Sequence, residues 1–600
     1  MSIRPLLKAT LIGVLDEKSQ VLDALQALGV MHIIPLAQRE QDEAQEWPED
    51  LGVTPEQLRL ALHWLASCPR KRRQVTTERH FDLVQVVQEV LDKRHRRMQL
   101  EERRDALVKR IRDLEPWGSF ELPGEQGLLG YRLWFYLVPN YRMREVEKNQ
   151  LPWSVVHRDN RFTYVAVIAK EEPRPNQMPV PRTHTGSIPL DQLRHQLQDI
   201  EIELELLDGE REAQTRWLYL LERSLAGNAD MADRAAAAAA TLDRDGVFAL
   251  QGWVDAGQRR ALTDFAERHA LALLLDSPAA DEQPPTLLHN PPALAGGEEV
   301  VRFYQMPGYR SWDPSRVVFF SFATFFALIL SDAGYALLLG AVLGFYWRRM
   351  GHSETGRRLR LLGVTLASFS LVYGMLVGSY FGAGPPLAVL DAVHLLDIND
   401  FDSMMQLSIY IGSAHLVLAN LINAWCQRRQ LRALASVGWV LMILAGLALW
   451  QRGGSMPIWL LGGLGAGLVL FCSSERPGHD PVALLRRVLD GLLALTGVSK
   501  MFGDALSYLR LFALGLASAS LALTFNQLAS DVAASLPGMG VLLEVLILIV
   551  GHLLNFVLAV VSGVIHGLRL NLIEFYNWSL SDEGYLFQPF AKREVNPWIT

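Results

Sequence analysis

The sequence predicts an α+β arm of two lobes joined by an antiparallel coiled coil, followed by an all-α membrane domain of eight transmembrane helices. Three observations carry that expectation. Half of the 600 residues are hydrophobic while the mean hydropathy is only +0.13, so two unlike halves are being averaged. Before about Ser315 the chain is dense in charge, as in Lys93-Arg94-His95-Arg96-Arg97 and Glu101-Glu102-Arg103-Arg104. After it, long apolar segments alternate with short loops, and one of those segments contains an arginine, Arg510.

In the arm, residues 8–14 read as a strand, 17–28 as a helix and 31–35 as a strand, the start of a proximal lobe. A charged helical region follows from 55 to 114, broken near Pro69, with Leu100, Leu107 and Leu114 recurring every seven residues. Pro116-Trp117-Gly118 ends it. Strands are expected over 131–138, 153–158 and 162–168, closed by a Pro-rich turn over 172–181. Then Leu193, Leu197, Ile200, Leu204 and Leu207 step by four and three, and Leu218, Leu221 and Leu225 resume in phase. Two heptad-bearing arms flanking one lobe fold back on each other, with that lobe at the tip. Residues 247–275 repeat a strand, helix, strand rhythm and return to the first lobe. The expected domains are a proximal lobe over 1–54 and 243–290, coiled-coil arms over 55–115 and 187–228, a distal lobe over 116–186 and a linker over 291–315. The membrane domain takes 316–600, its last two helices at about 500–530 and 538–578.

Composition excludes several functions. The net charge of −7 is small for this length, and the basic clusters are interleaved with acids, so there is no nucleic-acid signature. The three cysteines, Cys68, Cys426 and Cys472, form no disulfide frame or zinc spacing. No P-loop, catalytic triad or metal cluster appears, so neither a catalytic site nor a cofactor is expected. The GGLGAG at 462–467 lies in an apolar span and reads as helix packing. The apolar run 9–15 is stopped by Asp16 and lacks a small-residue cleavage site, so no signal peptide is expected and the arm stays cytoplasmic.

Apolar segments cover 317–347, 359–381, 404–425, 433–450, 457–472, 502–528 and 541–573. Arg348, Arg349, Arg357, Arg358 and Arg360 make a basic loop, as do Arg428, Arg429 and Arg432, and then Arg476, Arg486, Arg487 and Lys500, while loops 382–403 and 530–540 contain no Lys or Arg. The positive-inside rule puts the basic loops in the cytoplasm with the arm. An even number of crossings must then precede Arg348, so the first segment is two short spans turning at Asp332-Ala333-Gly334. This gives eight spans with both termini cytoplasmic in a cell (inner or plasma) membrane.

The segment 502–528, about 27 residues at 1.5 Å each, makes a helix of roughly 40 Å. Arg510 lies ten residues after Lys500, roughly 15 Å along a helix, where a guanidinium costs at least about 2.5 kcal/mol and needs a partner or water. Small residues around it, including Ala513, Gly515, Ala517 and Ser518, admit a close helix neighbour. In the last span Glu544, His552, Asn555, Ser562, His566 and Arg569 share one face, a polar stripe suited to an ion path. Spacing alone does not put Arg569 opposite Arg510, and read by itself it is an interfacial arginine.

The runs SYLRLFALGLASASL (507–521) and IHGLRLNLIEFYNW (565–578), with LSDAGYALLLG (330–340), VGSYFG (377–382), LSIYIGSAHLVLAN (407–420) and PPTLLHNP (284–291), resemble subunit a of vacuolar-type rotary ATPases, called subunit I in the bacterial and archaeal V/A-type enzymes. The resemblance covers the whole chain. It implies the stator of a rotary ion pump that couples ATP hydrolysis or synthesis to proton or sodium transport. Two tilted helices would hug a ring of proteolipid subunits, and Arg510 and Arg569 would face the ring's essential carboxylate. His566 would be a half-channel group or relay. The family's arm holds peripheral-stalk subunits and touches the central stalk, and ATP chemistry belongs to other subunits. Two departures are present: Ala559 stands where many members carry Glu, and Ser518 where they carry His. One half-channel must then be lined differently, with Asp504, Ser507, Ser518, Glu544, His552, Asn555, Ser562 and Glu574 as candidates. A secondary ion transporter with a cytoplasmic regulatory coiled coil is the alternative. It requires internal repeats and matching broken helices, which are not seen. A membrane-anchored scaffold leaves Arg510 without a reason.

Overall fold

The computed structural model describes residues 2–36, 52–120, 130–174, 177–184, 188–385, 387–397, 400–474, 481–535, 539–580, 582–593 and 595. Arg476 of the third basic loop, residues 175–176 of the Pro-rich turn and parts of both expected lobes lie outside the described residues. The chain divides into two compact units, residues 1–38 with 240–591, and 39–239 with 592–600.

The first unit opens with an antiparallel sheet in the order Met31–Ile34, Val247–Asp255, Leu6–Val14, Ala272–Asp276. Residues 247–275 therefore do return to the first lobe, pairing with Leu6–Val14 along its full length. Helix Lys18–Leu28 buries Val21, Leu22 and Leu25, and helix Arg259–Arg268 buries Leu262, Phe265 and Ala266. Gly29 stops the first helix at φ 65°, a left-handed cap that glycine adopts without a Cβ clash.

In the second unit, helices Leu83–Leu114 and Leu190–Gln214 run antiparallel. Their ion pairs fix the direction: Lys93 with Glu210 (3.1 Å), Arg97 with Asp208 (2.9 Å) and Glu115 with Arg194 (3.0 Å). The heptad positions Leu100, Ile200, Leu204 and Leu207 are buried between them. Past one end lies a three-stranded sheet in the order Arg132–Pro139, Phe162–Ala169, Trp153–Arg158. At the other, helix Pro55–Ala66, opened by a Thr54/Gln57 capping box, packs Leu58, Leu62 and Leu65 against Leu218 and Leu221.

The rest of the first unit is helical: α1 (Ser315–Leu330), α2 (Ala333–Met350), α3 (Glu354–Val377), α4 (Phe401–Cys426), α5 (Arg432–Arg452), α6 (Met456–Cys472), α7 (Pro481–Leu495), α8 (Gly497–Ser507), α9 (Leu509–Ser535) and α10 (Gly540–Arg569). Among the described residues five stretches are long and apolar enough to cross a membrane, namely α3, α4, α5, Leu485–Ser535 and Gly540–Ser579, and α1 and α6 are shorter apolar helices. Helix α1 buries most of its residues, from Val318 to Leu330, because α3, α9 and α10 all pack on it.

The break expected at 332–334 is present. Ser331 adopts a left-handed φ of 48° and Asp332 caps α2 by accepting from Tyr335 N at 2.9 Å. The same carboxylate accepts from Ser379 Oγ at 2.6 Å and from the amides of Phe381 and Gly382, both at 3.0 Å. Gly374 is required beside it, since a Cβ there would stand 2.3 Å from Ala333 N. Helix α3 meets α1 at Phe319 and Leu362, and meets α2 where Gly363 faces Leu343 and Gly374 faces Ala333. So α3 runs parallel to α1 and antiparallel to α2, and the α1–α2 pair is a hairpin.

Two expectations are corrected. The stretch 291–315 is more than a linker: it holds helix Gly296–Tyr304, and a Cβ on Gly297 would fall 2.2 Å from Ser315 O. Buried Glu298 accepts from Asn290 N at 2.6 Å and pairs with Arg358 at 3.2 Å. The segment 502–528 is also not one helix, because it breaks at Tyr508 between α8 and α9, where Tyr508 N and Leu511 N bond three residues back. The Tyr508 ring fills the slot over Gly412, where a Cβ would lie 2.4 Å from it. Arg510 therefore begins a helix.

The C-terminal segment straps the first lobe. Phe587 packs on Leu6 and Trp253, Gln588 N donates to His32 Nδ1 at 3.0 Å, and Phe590 N donates to Met31 O at 2.8 Å. Burial holds the His32 imidazole below its ordinary value, and an unprotonated Nδ1 is what accepts the Gln588 amide. The unfolded ring binds more protons in acid, so this contribution is complete above about pH 6.5 and is lost as pH falls below it toward the depressed folded value. Amide protection at Gln588 and Phe590, corrected for intrinsic exchange, should fall between about pH 7 and 5, and His32→Asn should flatten that dependence. Asp332→Ala takes the acceptor from the buried Tyr335 amide and from the part-buried amides of Phe381 and Gly382, and the buried one alone costs about 1–3 kcal/mol, so the helical part should lose at least about 1 kcal/mol, read as a lowered melting temperature in detergent.

Candidate functional site

Helix α10 ends at Arg569 and the chain continues as a wide π-type turn over Leu570–Phe575, bonded five residues back in place of four. On an α-helix, residues five apart sit about 140° around the axis. The widened turn swings Glu574 back to the side of Arg569. The Glu574 side chain is only 3 % exposed, and its Oε1 lies 3.8 Å from Arg569 Nε and 4.0 Å from Arg510 Nη2. The structure thus brings together the two arginines that sequence spacing leaves apart.

One aromatic core positions both. Tyr508, at the α8–α9 break just before Arg510, shares a 2.8 Å hydrogen bond between its hydroxyl and His415 Nδ1. The His415 ring stacks on Phe575 at 4.3 Å with an 11° interplanar angle, which anchors the π-turn. Asn571 adds a second tie, accepting from Ser321 Oγ and donating to Gly567 O at 2.9 Å. Trp578 Nε1 donates to Asp504 Oδ2 at 2.7 Å. Asp504 is therefore occupied by a structural bond.

The charges here are balanced only in part: two guanidiniums meet one carboxylate. Arg510 Nη1, Glu574 Oε2 and His566 Nδ1 are buried and have no hydrogen-bond partner among the described residues. Native interiors pair nearly all such groups, so three orphans in one place single this cluster out as the candidate site. The Arg510 side chain keeps 22 % of its surface open and Arg569 keeps 52 %. An acid arriving at that flank meets a fixed positive field.

The other candidates fall differently. Ser518, Asn555 and His552 form a closed network with Tyr335 and Asn526. Asn555 Nδ2 donates to Ser518 O (2.8 Å) and to Tyr335 Oη (2.9 Å), His552 Nδ1 lies 2.9 Å from Tyr335 Oη, and its Nε2 lies 2.9 Å from Asn526 Oδ1. Ser507 bonds its own helix at Gly503 O. Glu544 and Ser562 lie half-buried on α10 and make no side-chain hydrogen bond among the described residues. Sequence reasoning missed Tyr335, His415, Tyr508, Asn526 and Trp578 as members of these clusters. Their signal was available: each is a polar or amphipathic residue within an otherwise apolar stretch of the sequence. Among the described residues no group of three or more His, Cys, Asp or Glu is disposed to hold a metal ion.

No family model matches the chain. Curated relatives do. It is 26% identical over 669 aligned positions to "V-type ATP synthase subunit I" of Chlamydia trachomatis, an alignment covering 96% of this chain and 97% of that one. The chain is thus similar to subunit I of a V-type ATP synthase along nearly its whole length. It is also 29% identical to "V-type ATP synthase subunit I" of Chlamydia pneumoniae over 58% of this chain, and there it spans 61% of the relative's length. With "A-type ATP synthase subunit I" of Pyrococcus horikoshii the identity is 31% over 52% of this chain and 48% of that one. Among solved structures, the cytoplasmic N-terminal domain of a V-ATPase subunit I matches 45% of this chain and 99% of its own at 17% identity and a TM-score of 0.23, too low to support an argument about the fold.

The coupling through Glu574 is measurable. Glu574→Gln should lower the stability of the helical part, and the Arg510→Ala, Glu574→Gln cycle should give an interaction energy of about 1 kcal/mol or more. A cycle that closes to zero means the carboxylate does not hold Arg510.

Proposed function

We propose that this chain is the stator membrane subunit of a V/A-type rotary ATPase, forming the ion half-channels against a proteolipid ring and anchoring the peripheral stalk. The observation that carries the reading is the half-open cluster of Arg510, Arg569 and Glu574: two cations, one buried anion and an exposed flank. A ring carboxylate that reaches this flank is stabilised in its charged form by the guanidiniums, so it gives up its proton or sodium there. The same fixed charge bars ions from slipping directly between the half-channels. Each elementary charge that did slip would dissipate about 2.3 kcal/mol per 100 mV.

His566, three residues before Arg569, serves as a half-channel group beside the pair. The remaining half-channel candidates are Ser507, Ser518, Glu544, His552, Asn555 and Ser562 with Asp504, and Glu574 acts as the resident counter-charge. The helices provide eight spans: α1, α2, α3, α4, α5, α6, the α7–α9 stretch and α10. At 1.5 Å per residue α1 and α2 are about 24 and 27 Å long, which suits a hairpin that starts and ends on the basic side. Both termini and the arm are then cytoplasmic, with a proximal lobe over 1–54 and 243–290, the antiparallel pair as a coiled coil, and a distal lobe over 116–186. The lobes are the docking points for peripheral-stalk and central-stalk subunits. ATP chemistry stays with other subunits.

In vesicles carrying the whole complex, Arg510→Ala should abolish ATP-driven ion transport while the complex still assembles. Transport at normal rates would refute the assigned role. Arg569→Ala should reduce transport strongly, and less completely than Arg510→Ala because the less exposed Arg510 charge remains.

A further inference from the structure

Between α2 and α3 runs an apolar groove of about 480 Å³ lined by Ala336, Gly340, Gly344, Trp347, Val364 and Leu371, among others. That volume is within the roughly 300–1,000 Å³ of small-molecule sites. Gly340 and Gly344 line it, and a Cβ at either would meet nothing within 4 Å. Both walls end in cations at the same edge. On α2 the row Gly340, Gly344 continues at the next i+4 position as Arg348, and on α3 the row Leu371, Ala367, Val364 continues backwards by four and three to Arg360 and Arg357. The Arg360 guanidinium lies 4.5 Å over the ring of Trp347, itself a lining residue. Arg358 is taken by Glu298, Glu299 and Glu354. Arg348, Arg357 and Arg360 make no ion pair among the described residues, and Arg360 Nε is buried without a hydrogen-bond partner.

We infer that this groove is a binding site for one anionic phospholipid, its acyl chain along Gly340 and Gly344 and its phosphate among Arg348, Arg357 and Arg360. An apolar slot lined from Ala336 to Trp347, about 16 Å at 1.5 Å per residue and so roughly half of a ~30 Å hydrocarbon core, and closed at one end by unpaired arginines has the chemistry of such a lipid. A neutral helix from a partner protein would leave those cations uncompensated. The inference rests on the membrane reading of the helical part and is independent of the role given to Arg510.

The test uses the full chain, purified in detergent micelles holding equal phosphatidylglycerol and phosphatidylcholine, with retained lipid counted by native mass spectrometry. Wild type should keep one phosphatidylglycerol in preference to phosphatidylcholine. Arg348→Gln with Arg357→Gln should cut that preference roughly 30-fold, the equivalent of about 1 kcal/mol per arginine near an anionic headgroup. Gly340→Leu with Gly344→Leu fills the slot and should lose the retained lipid of either kind. Equal retention of the two lipids by wild type overturns the proposal. So does an unchanged preference in the double Gln variant, or a co-purifying polypeptide, in place of lipid, that leaves when the slot is filled. A chain that stays dispersed in buffer without detergent would instead defeat the membrane reading itself.

Discussion

The helical part depends on one constraint: two permanent cations must be held close together within an apolar bundle. A guanidinium cannot escape by losing its proton, so the cost of bringing Arg510 and Arg569 near each other falls on their surroundings. Glu574 meets that cost. At roughly 4 Å and an effective dielectric of about 20, each attraction is on the order of 4 kcal/mol, and less at half-exposed Arg569, where solvent screens it. To deliver the carboxylate, the chain widens a helical turn, and to hold the widened turn it stacks Phe575 on His415 and ties His415 to Tyr508. The break at Tyr508 that puts Arg510 in the first turn of α9 and the turn that follows Arg569 are two ends of one aromatic contact.

The bundle contains two polar clusters, and their difference is informative. Around Tyr335, His552, Asn526, Asn555 and Ser518 the polar groups face one another at hydrogen-bond distance, so this network is internally satisfied and also fixes register between α2, α9 and α10. Around Arg510 the opposite holds, with orphaned atoms on Arg510, His566 and Glu574. A closed network stabilises, whereas an open one awaits something. The acid that sits beside Arg510 belongs to its own chain, yet at 4.0 Å it does not close the site, and the arginine retains an open flank.

Periodicity in the sequence was enough for most of the architecture. Alternation located the strands of both lobes, leucines at heptad spacing located the antiparallel helices, and loop charge forced the turn at Asp332. The site was legible in its residues and not in its geometry. Arg510, Arg569, His566 and Glu574 were all candidates, but Glu574 follows Arg569 by five positions and an α-helix would carry it to another face. No glycine or proline announces the π-turn or the break at Tyr508, because both are imposed by tertiary packing over Gly412 and against His415. The helix Gly296–Tyr304 was hidden in a stretch rich in Pro, Ala and Gly, where composition favours a loop and burial against Ser315 and Leu362 overrides it.

The outer face of α10 bears on what fills the open flank. Val545, Ile549, Leu553, Val557, Val561 and Ile565 are all exposed and step by four, and the next step is Arg569. An i±4 row is inclined by about 26° to its helix axis, so whatever packs along this ridge crosses α10 obliquely and arrives at the arginine at its end. Lipid tails satisfy the apolar part of the row and leave the terminal cation unanswered. A tilted helix carrying a single acid satisfies both. The ridge and the charge together are matched by an apolar length interrupted once by a carboxylate, which a lipid tail does not supply.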